Sequence, residues 1–245
     1  MPLRVVIVGP GRVGAACGRR LAANGVELLG FIGRDPARAA RAVEFAGAGA
    51  VLPAAAHGTA HAVLFAVGDG QLEDAVAGLL AAAPARSCSL WLHTSGSRGL
   101  DVFAAAAAQG ARRGGLHPVA PFADVESGYR LMAGQPAVLI GDANALRLLT
   151  RLAAALELDP IVAAEGRRAL YHAGCALAAN GVVALRALVD DVLRAAGGLA
   201  ERDAERLATA LMQTALASAA ERGPRDALSG PVLRGDTATV RAHVE

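Results

Sequence analysis

The chain has 245 residues, enough for one large domain or two smaller ones with a substantial core. Its formal net charge is +2 with no basic block, which removes the electrostatic argument for nucleic acid. All 24 basic residues are arginine, so Schiff-base chemistry and a lysine general acid are excluded.

Residues 3–8 (LRVVIV) form a short β-branched apolar run of the length of a buried parallel strand. The run enters Gly9-Pro10-Gly11-Arg12-Val13-Gly14, and a helix-permissive stretch over residues 15–23 follows. In such a strand–loop–helix unit the first glycine makes the tight turn and the second lets backbone approach a pyrophosphate. The third lets helix and strand pack closely. The phosphates would sit on the unpaired N–H groups that open the helix. Gly9, Gly11, Arg12, Val13 and Gly14 are therefore candidate dinucleotide contacts.

A second strand is expected over residues 26–32, and its end selects the dinucleotide. An NAD site carries an acidic residue there, about 20 residues past the glycines, for the ribose 2′-hydroxyl. Here Arg34 stands at that distance from Gly14 (34 − 14 = 20), and a guanidinium grips a 2′-phosphate through two parallel hydrogen bonds. Arg12 and Arg38 add positive charge, and NADP(H) is the expected cofactor. Asp35-Pro36 reads as the N-cap and first residue of the next helix, the alternative being a ribose contact by Asp35.

That helix should cover residues 35–46, followed by short strand 50–52, strand 62–67 ending at Gly68-Asp69-Gly70, and helix 71–83. A fifth strand (89–93) leaves through Thr94-Ser95-Gly96-Ser97; residues 99–109 read as helical and 112–116 as extended. Strand 137–140, helix 142–156 and strand 159–162 complete an alternation that predicts an α/β fold, a Rossmann-type doubly wound, mainly parallel sheet. The pattern changes near Glu165. Residues 167–196 contain no proline, and between Arg168 and Arg186 no charge, so this helix needs a domain core or a subunit interface on every face. A helix over 201–221, a Gly/Pro loop over 226–236 and a terminal helix capped by Asp236 follow. The boundary is drawn at 163: residues 1–163 dinucleotide-binding, residues 164–245 an all-α C-terminal domain.

Ligands of open α/β sheets bind beyond the C-terminal strand ends. Val67, Asp69, Thr94, Ser95 and Gly96 would border a nicotinamide there, and Ser95 or His117 could donate a proton to the atom that receives hydride. Against this, Asp69 and Ser95 can serve as turn residues and His93 as a hydrogen-bonded strand end. No GxSxG elbow is present for a hydrolase. In the helical part, His172 and Asn180 are eight residues apart (180 − 172), within about 80° around a regular helix. They could share a face turned to a cleft, or make an interhelical hydrogen bond that fixes packing. Cys17, Cys88 and Cys175 lack any CxxC spacing, so neither a metal site nor a disulfide framework is expected. The N-terminal apolar run is too short for a signal peptide and no stretch reaches membrane-span length, which gives a cytoplasmic expectation.

The segments GPGRVG, His93-Thr94-Ser95-Gly96, Gly115-Leu116-His117-Pro118, Tyr171-His172-Ala173 and Leu228-Ser229-Gly230-Pro231 with Arg234-Gly235-Asp236 resemble, in order, a group of oxidoreductases inferred from sequence. These join a Rossmann-like NADP-binding domain to a helical domain of the DUF2520 type. More distantly the chain is similar to pyrroline-5-carboxylate reductase, coenzyme-F420-dependent NADP oxidoreductase, ketopantoate reductase and the 6-phosphogluconate and β-hydroxyacid dehydrogenases. The resemblance implies an NADP-dependent reductase of a small carbonyl or imine compound and a homodimer formed through the helical domain. The ketopantoate and β-hydroxyacid enzymes pair a lysine with an asparagine one turn apart; Asn180 can match the asparagine, but the lysine has no counterpart. His172 is the expected substitute, an imidazole suited to proton transfer near neutral pH. The alternatives are a protein that senses NADP without turnover and a purely structural dimer.

Overall fold

The structure, a computed structural model, describes residues 2–244. Its elements run β1 (Arg4–Val8), α1 (Arg12–Ala23), β2 (Glu27–Ile32), α2 (Pro36–Ala46), β3 (Ala50–Val51), β4 (Ala62–Phe65), α3 (Leu72–Ala82) and β5 (Leu90–His93). After these come α4 (Ala104–Ala107), β6 (Arg112–Pro118), α5 (Val125–Met132), β7 (Pro136–Gly141), α6 (Ala143–Ala155) and β8 (Asp159–Val162). The helical part holds α7 (Arg168–Ala176), a π-helical turn (Leu177–Gly181), α8 (Val182–Ala196), α9 (Glu201–Arg222) and α10 (Thr237–Val244).

The eight strands form one sheet in the order β3-β2-β1-β4-β5-β6-β7-β8. Every pairing is parallel except β6 with β7. The fold is thus the expected α/β Rossmann-type sheet followed by an all-α region. β1 is apolar without alternation because helices cover both sheet faces. Val5 and Ile7 enter one core with Phe31, Leu64, Leu92 and Leu149. Val6 and Val8 enter the other with Val63, Phe65, Trp91 and Phe103. The strand order reverses beside β1, where β2 lies on one flank and β4 on the other, and this opens the crevice that dinucleotides use.

Three local outcomes differ from the sequence expectation. α5 has no counterpart in it; this helix starts at an aspartate capping box, Asp124 accepting from Ser127 N at 2.8 Å, and Gly128 in its middle hides its helical character. Residues 99–109 form only a 3₁₀ turn (Leu100–Phe103) and the single turn of α4, since four alanines supply little apolar area to hold a longer helix. The long helix expected over 167–196 is interrupted by the π turn.

The chain divides into two compact units, Met1–Ala176 and Leu177–Glu245. In the second, Arg186 joins α8 to α9 by donating to Thr209 Oγ1 (2.7 Å) and Glu205 O (3.3 Å), with Asp190 as its ion-pair partner. Only Ala204 and Ala208 are buried among that unit's described hydrophobic residues. The expectation of a helix buried on every face is not met within one chain: Leu170, Leu177, Val183 and Leu185 are exposed. No described helix is long and apolar enough to cross a membrane.

Candidate functional site

The crevice begins at the loop between β1 and α1. Gly9 adopts φ +101°, and a Cβ there would lie 2.6 Å from the Ala66 carbonyl oxygen, so no other residue fits. A Cβ on Gly14 would overlap the Gly9 carbonyl oxygen, which is the close helix–strand packing expected of the third glycine. Gly11 opens α1 with no side-chain cap and no acidic residue in the first turn. This end stands apart from α2, α5 and α6, each closed by an aspartate (Asp35, Asp124, Asp142). The amides of α1 alone among these four are left open to an anion.

Arg38 reaches over this loop; its Nη2 lies 3.5 Å from where a Gly11 Cβ would be. Arg34 is exposed at the end of β2 and forms no ion pair among the described residues. Asp35 accepts from Ala37 N (2.9 Å) and Arg38 N (3.2 Å), so its carboxylate is spent on the α2 cap. Arg12 donates to Ala123 O at 2.8 Å and ties α1 to the segment before α5. Val13 packs half-buried on the core, and Val67 lies against the Gly9 turn.

The exits of β4 and β5 are joined by side chains. The Ser97 hydroxyl donates to Asp69 Oδ2, while Ser95 Oγ accepts from Ser97 N (3.2 Å) and Arg98 N (3.1 Å). Burial alone would raise the Asp69 carboxyl; hydrogen bonds from Ser97 and Ser95, with charge from His172 and Arg98, outweigh it and hold the group below its usual range. Thr94 extends the ladder through Thr94 N to Phe65 O at 3.0 Å. His93 turns inward, buried, stacked on Phe103 at 5.7 Å, with Nε2 3.2 Å from Gly99 O.

Beyond this loop stand His117, Tyr171 and His172. His117 Nδ1 lies 2.8 Å from the Tyr171 hydroxyl, and the His117 and His172 rings are 5.9 Å apart at 76°. A Cβ on Gly96 would lie 2.6 Å from His172 Cδ2 and 2.9 Å from His117 Nε2; the absence of a side chain lets both imidazoles reach the loop. Burial, then the charges of His172 and Arg168, push His117 down to about 4. Burial and the Cys175 thiol push Tyr171 up to about 12. Both groups are neutral at pH 7 and are joined by one hydrogen bond. Arg168 places its guanidinium 4.3 Å over the Tyr171 ring.

The structure therefore gathers Asp69, Ser95, Gly96, His117 and His172, and separately Gly9, Gly11, Gly14 and Val67. Asn180 falls in the π turn of the second unit, and the constant 100° per residue that put it on the His172 face does not hold through that turn. Tyr171 and Arg168 carry more of the cluster than their place in the sequence conveys. The available signal is spacing: Arg168 precedes His172 by one helical turn (172 − 168 = 4).

Residues 1–118 match the model of a Rossmann-like domain, and residues 135–245 that of a domain of unknown function, DUF2520. The chain thus carries these two domains in sequence. Among solved structures it is similar to a proposed NADP oxidoreductase of Bacteroides fragilis, at 17% identity over 99% of this chain and 90% of that one, TM-score 0.76. A protein of Thermotoga maritima matches at 22% identity over 98% and 87%, TM-score 0.71. A pyrroline-5-carboxylate reductase of Coxiella burnetii matches at 15% identity over 98% and 91%, TM-score 0.65. At these identities the likeness concerns the fold. A comparison with curated proteins gave no match.

Proposed function

We propose that the protein is an NADP-dependent oxidoreductase that transfers hydride to or from a small carbonyl or imine compound. The observation that carries this reading is the arrangement along one sheet edge. The uncapped N-terminus of α1, with Arg38 beside it and Arg34 exposed at the end of β2, lies at one end, and the neutral Tyr171–His117 pair facing Gly96 lies at the other. The residues fit a nicotinamide dinucleotide: Gly9, Gly11, Gly14 and the α1 amides would hold the pyrophosphate, and Arg34 the 2′-phosphate. Val67, Asp69, Thr94 and Gly96 would border the nicotinamide. When bound, this group supplies the hydride.

The chain's own groups handle the proton. Where Tyr171 donates to His117 Nδ1, the remaining ring proton sits on Nε2, the atom nearest Gly96, ready for the atom that gains hydride. His172, beside it, is the second candidate donor and the substitute for the lysine of the distant enzymes. Ser95 and Asp69 hold the loop that presents Gly96. The proposed division places the sheet domain at 1–163 and the helical domain at 164–245, the latter joining two copies through its exposed leucines, in a cytoplasmic homodimer.

A fluorescence titration with NADPH and NADH tests the reading. NADPH is expected to bind at least tenfold more tightly, about 1.4 kcal/mol, and Arg34→Ala to erase that preference while leaving NADH affinity unchanged. Failure to bind either nucleotide overturns the oxidoreductase reading. Tight binding with no NADPH oxidation across a carbonyl and imine panel replaces it with a sensor.

A further inference from the structure

Two arginines of the sheet unit are buried, and they are treated differently. Arg20, 8% exposed, pairs with Glu157 at 2.6 Å and donates to the Tyr129 carbonyl oxygen. That is how a buried guanidinium is normally stabilised: a counter-ion and accepting oxygens offset the lost hydration. Arg168 is 6% exposed and has no counter-ion among the described residues. Its Nε is buried without a partner, as is that of Arg20, so the missing counter-ion is what separates the two. The two acids of the cluster are committed elsewhere, Asp69 to Ser97 and Glu165 Oε1 to Leu100 N at 2.6 Å. The guanidinium lies over Tyr171, and its charge helps depress the basicity of His117 and His93, so it belongs to the proton-handling cluster.

We propose that Arg168 is an anion subsite, and that the compound reduced here carries a carboxylate beside its C=O or C=N bond. The inference rests on the reductase reading above. A planar five-donor guanidinium is matched by a carboxylate through two parallel bonds, which neutralises the buried charge only when substrate is present. A carboxylate held there would set the adjoining carbonyl or imine carbon toward His117, whose ring centre lies 5.7 Å from that of Tyr171, the ring beneath Arg168. Hydride then adds to that carbon and a proton to its oxygen or nitrogen. The double bond becomes a single bond, NADPH becomes NADP⁺, and the carboxylate is unchanged. Neutral aldehydes and ketones leave Arg168 uncompensated and are poor ligands by the same argument.

The test uses the full chain with NADP⁺ and a panel of 2-oxo acids (pyruvate first) and cyclic imino acids, each paired with its neutral methyl ester, read by calorimetry and thermal shift. At least one acid is expected to bind at least tenfold more tightly than its ester. Arg168→Gln is expected to remove that difference and Arg168→Lys to keep part of it. If Arg168→Gln does not fold, the acid–ester contrast in the parent chain and in Arg168→Lys decides. No acid binding better than its ester, or a difference that survives Arg168→Gln, overturns the subsite. NADPH oxidation with the same panel separates the two readings. Esters consumed as fast as acids leave the reductase standing and remove the subsite; Arg168-dependent acid binding with no NADPH consumed does the reverse.

Discussion

In the sheet unit, Val5, Val6, Ile7, Trp91 and Leu92 are fully buried, whereas in the helical unit Leu177, Val183, Leu188, Val192 and Leu211 each expose 60% or more of their surface. Both units are rich in alanine, so composition does not make the difference. Strands β1, β4 and β5 have neighbours on both edges and helices on both faces, so a local βα alternation closes its own core. The helices of the second unit fully bury only Ala204 and Ala208 among their described apolar residues; Val182, Val189, Leu193 and Met212 are half-buried and many other large side chains are exposed. One unit is stabilised by its own chain, and the other presents an apolar surface of the kind that associates.

The largest expected effect falls on the self-sufficient unit. Trp91 packs against Phe65 at 5.3 Å, His57 at 5.4 Å and Phe103 at 6.2 Å, and Trp91→Ala should cost about 3–5 kcal/mol in denaturant unfolding followed by circular dichroism. A loss under about 1 kcal/mol would break the contrast, because this core would then not be the source of stability.

The second effect is of pH. His117 titrates near 4 when folded against about 6.5 unfolded. Between those values the unfolded chain binds more protons, so stability should fall as pH drops from 6.5 to 4 and level off below, by on the order of 3 kcal/mol. Burial also lowers His61 and His93, which act in the same direction. The difference between the parent chain and His117→Gln therefore isolates the His117 share, and identical pH profiles would remove it.

The smallest effect concerns the helical unit. If the proposed homodimer forms through this face, Leu188→Glu with Val192→Glu on α8 should weaken it about a hundredfold, about 2.7 kcal/mol, in sedimentation measured over a range of concentrations, with the sheet unit's unfolding unchanged. An unaltered mass would show that this face is not the joint.

Much of the sheet unit is legible in the sequence. β1, β8 and the α2 cap at Asp35 follow from local rules: apolar run length, the Asp-Pro start and glycines with positional roles. α5 is hidden because its signal is one capping box around a glycine. Of the site, the glycine loop is plain, since its chemistry is contiguous in the chain. His117, Tyr171 and His172 stand out singly, but no sequence spacing states that Tyr171 and His117, 54 residues apart, share a hydrogen bond.

By itself the sequence determined the alternation, the open helix N-terminus at Gly11, the arginine at the end of β2 and the lack of any lysine, because each depends on neighbours within a few residues. Only the tertiary structure decided that β7 runs antiparallel to β6, that Asp69 and the Ser95–Ser97 loop are spent on each other, and that Arg168 is buried without a counter-ion among the described residues. Those outcomes depend on which distant groups meet and on how much water is left between them. Burial and charge pairing are properties of the packed chain, and no local pattern encodes them.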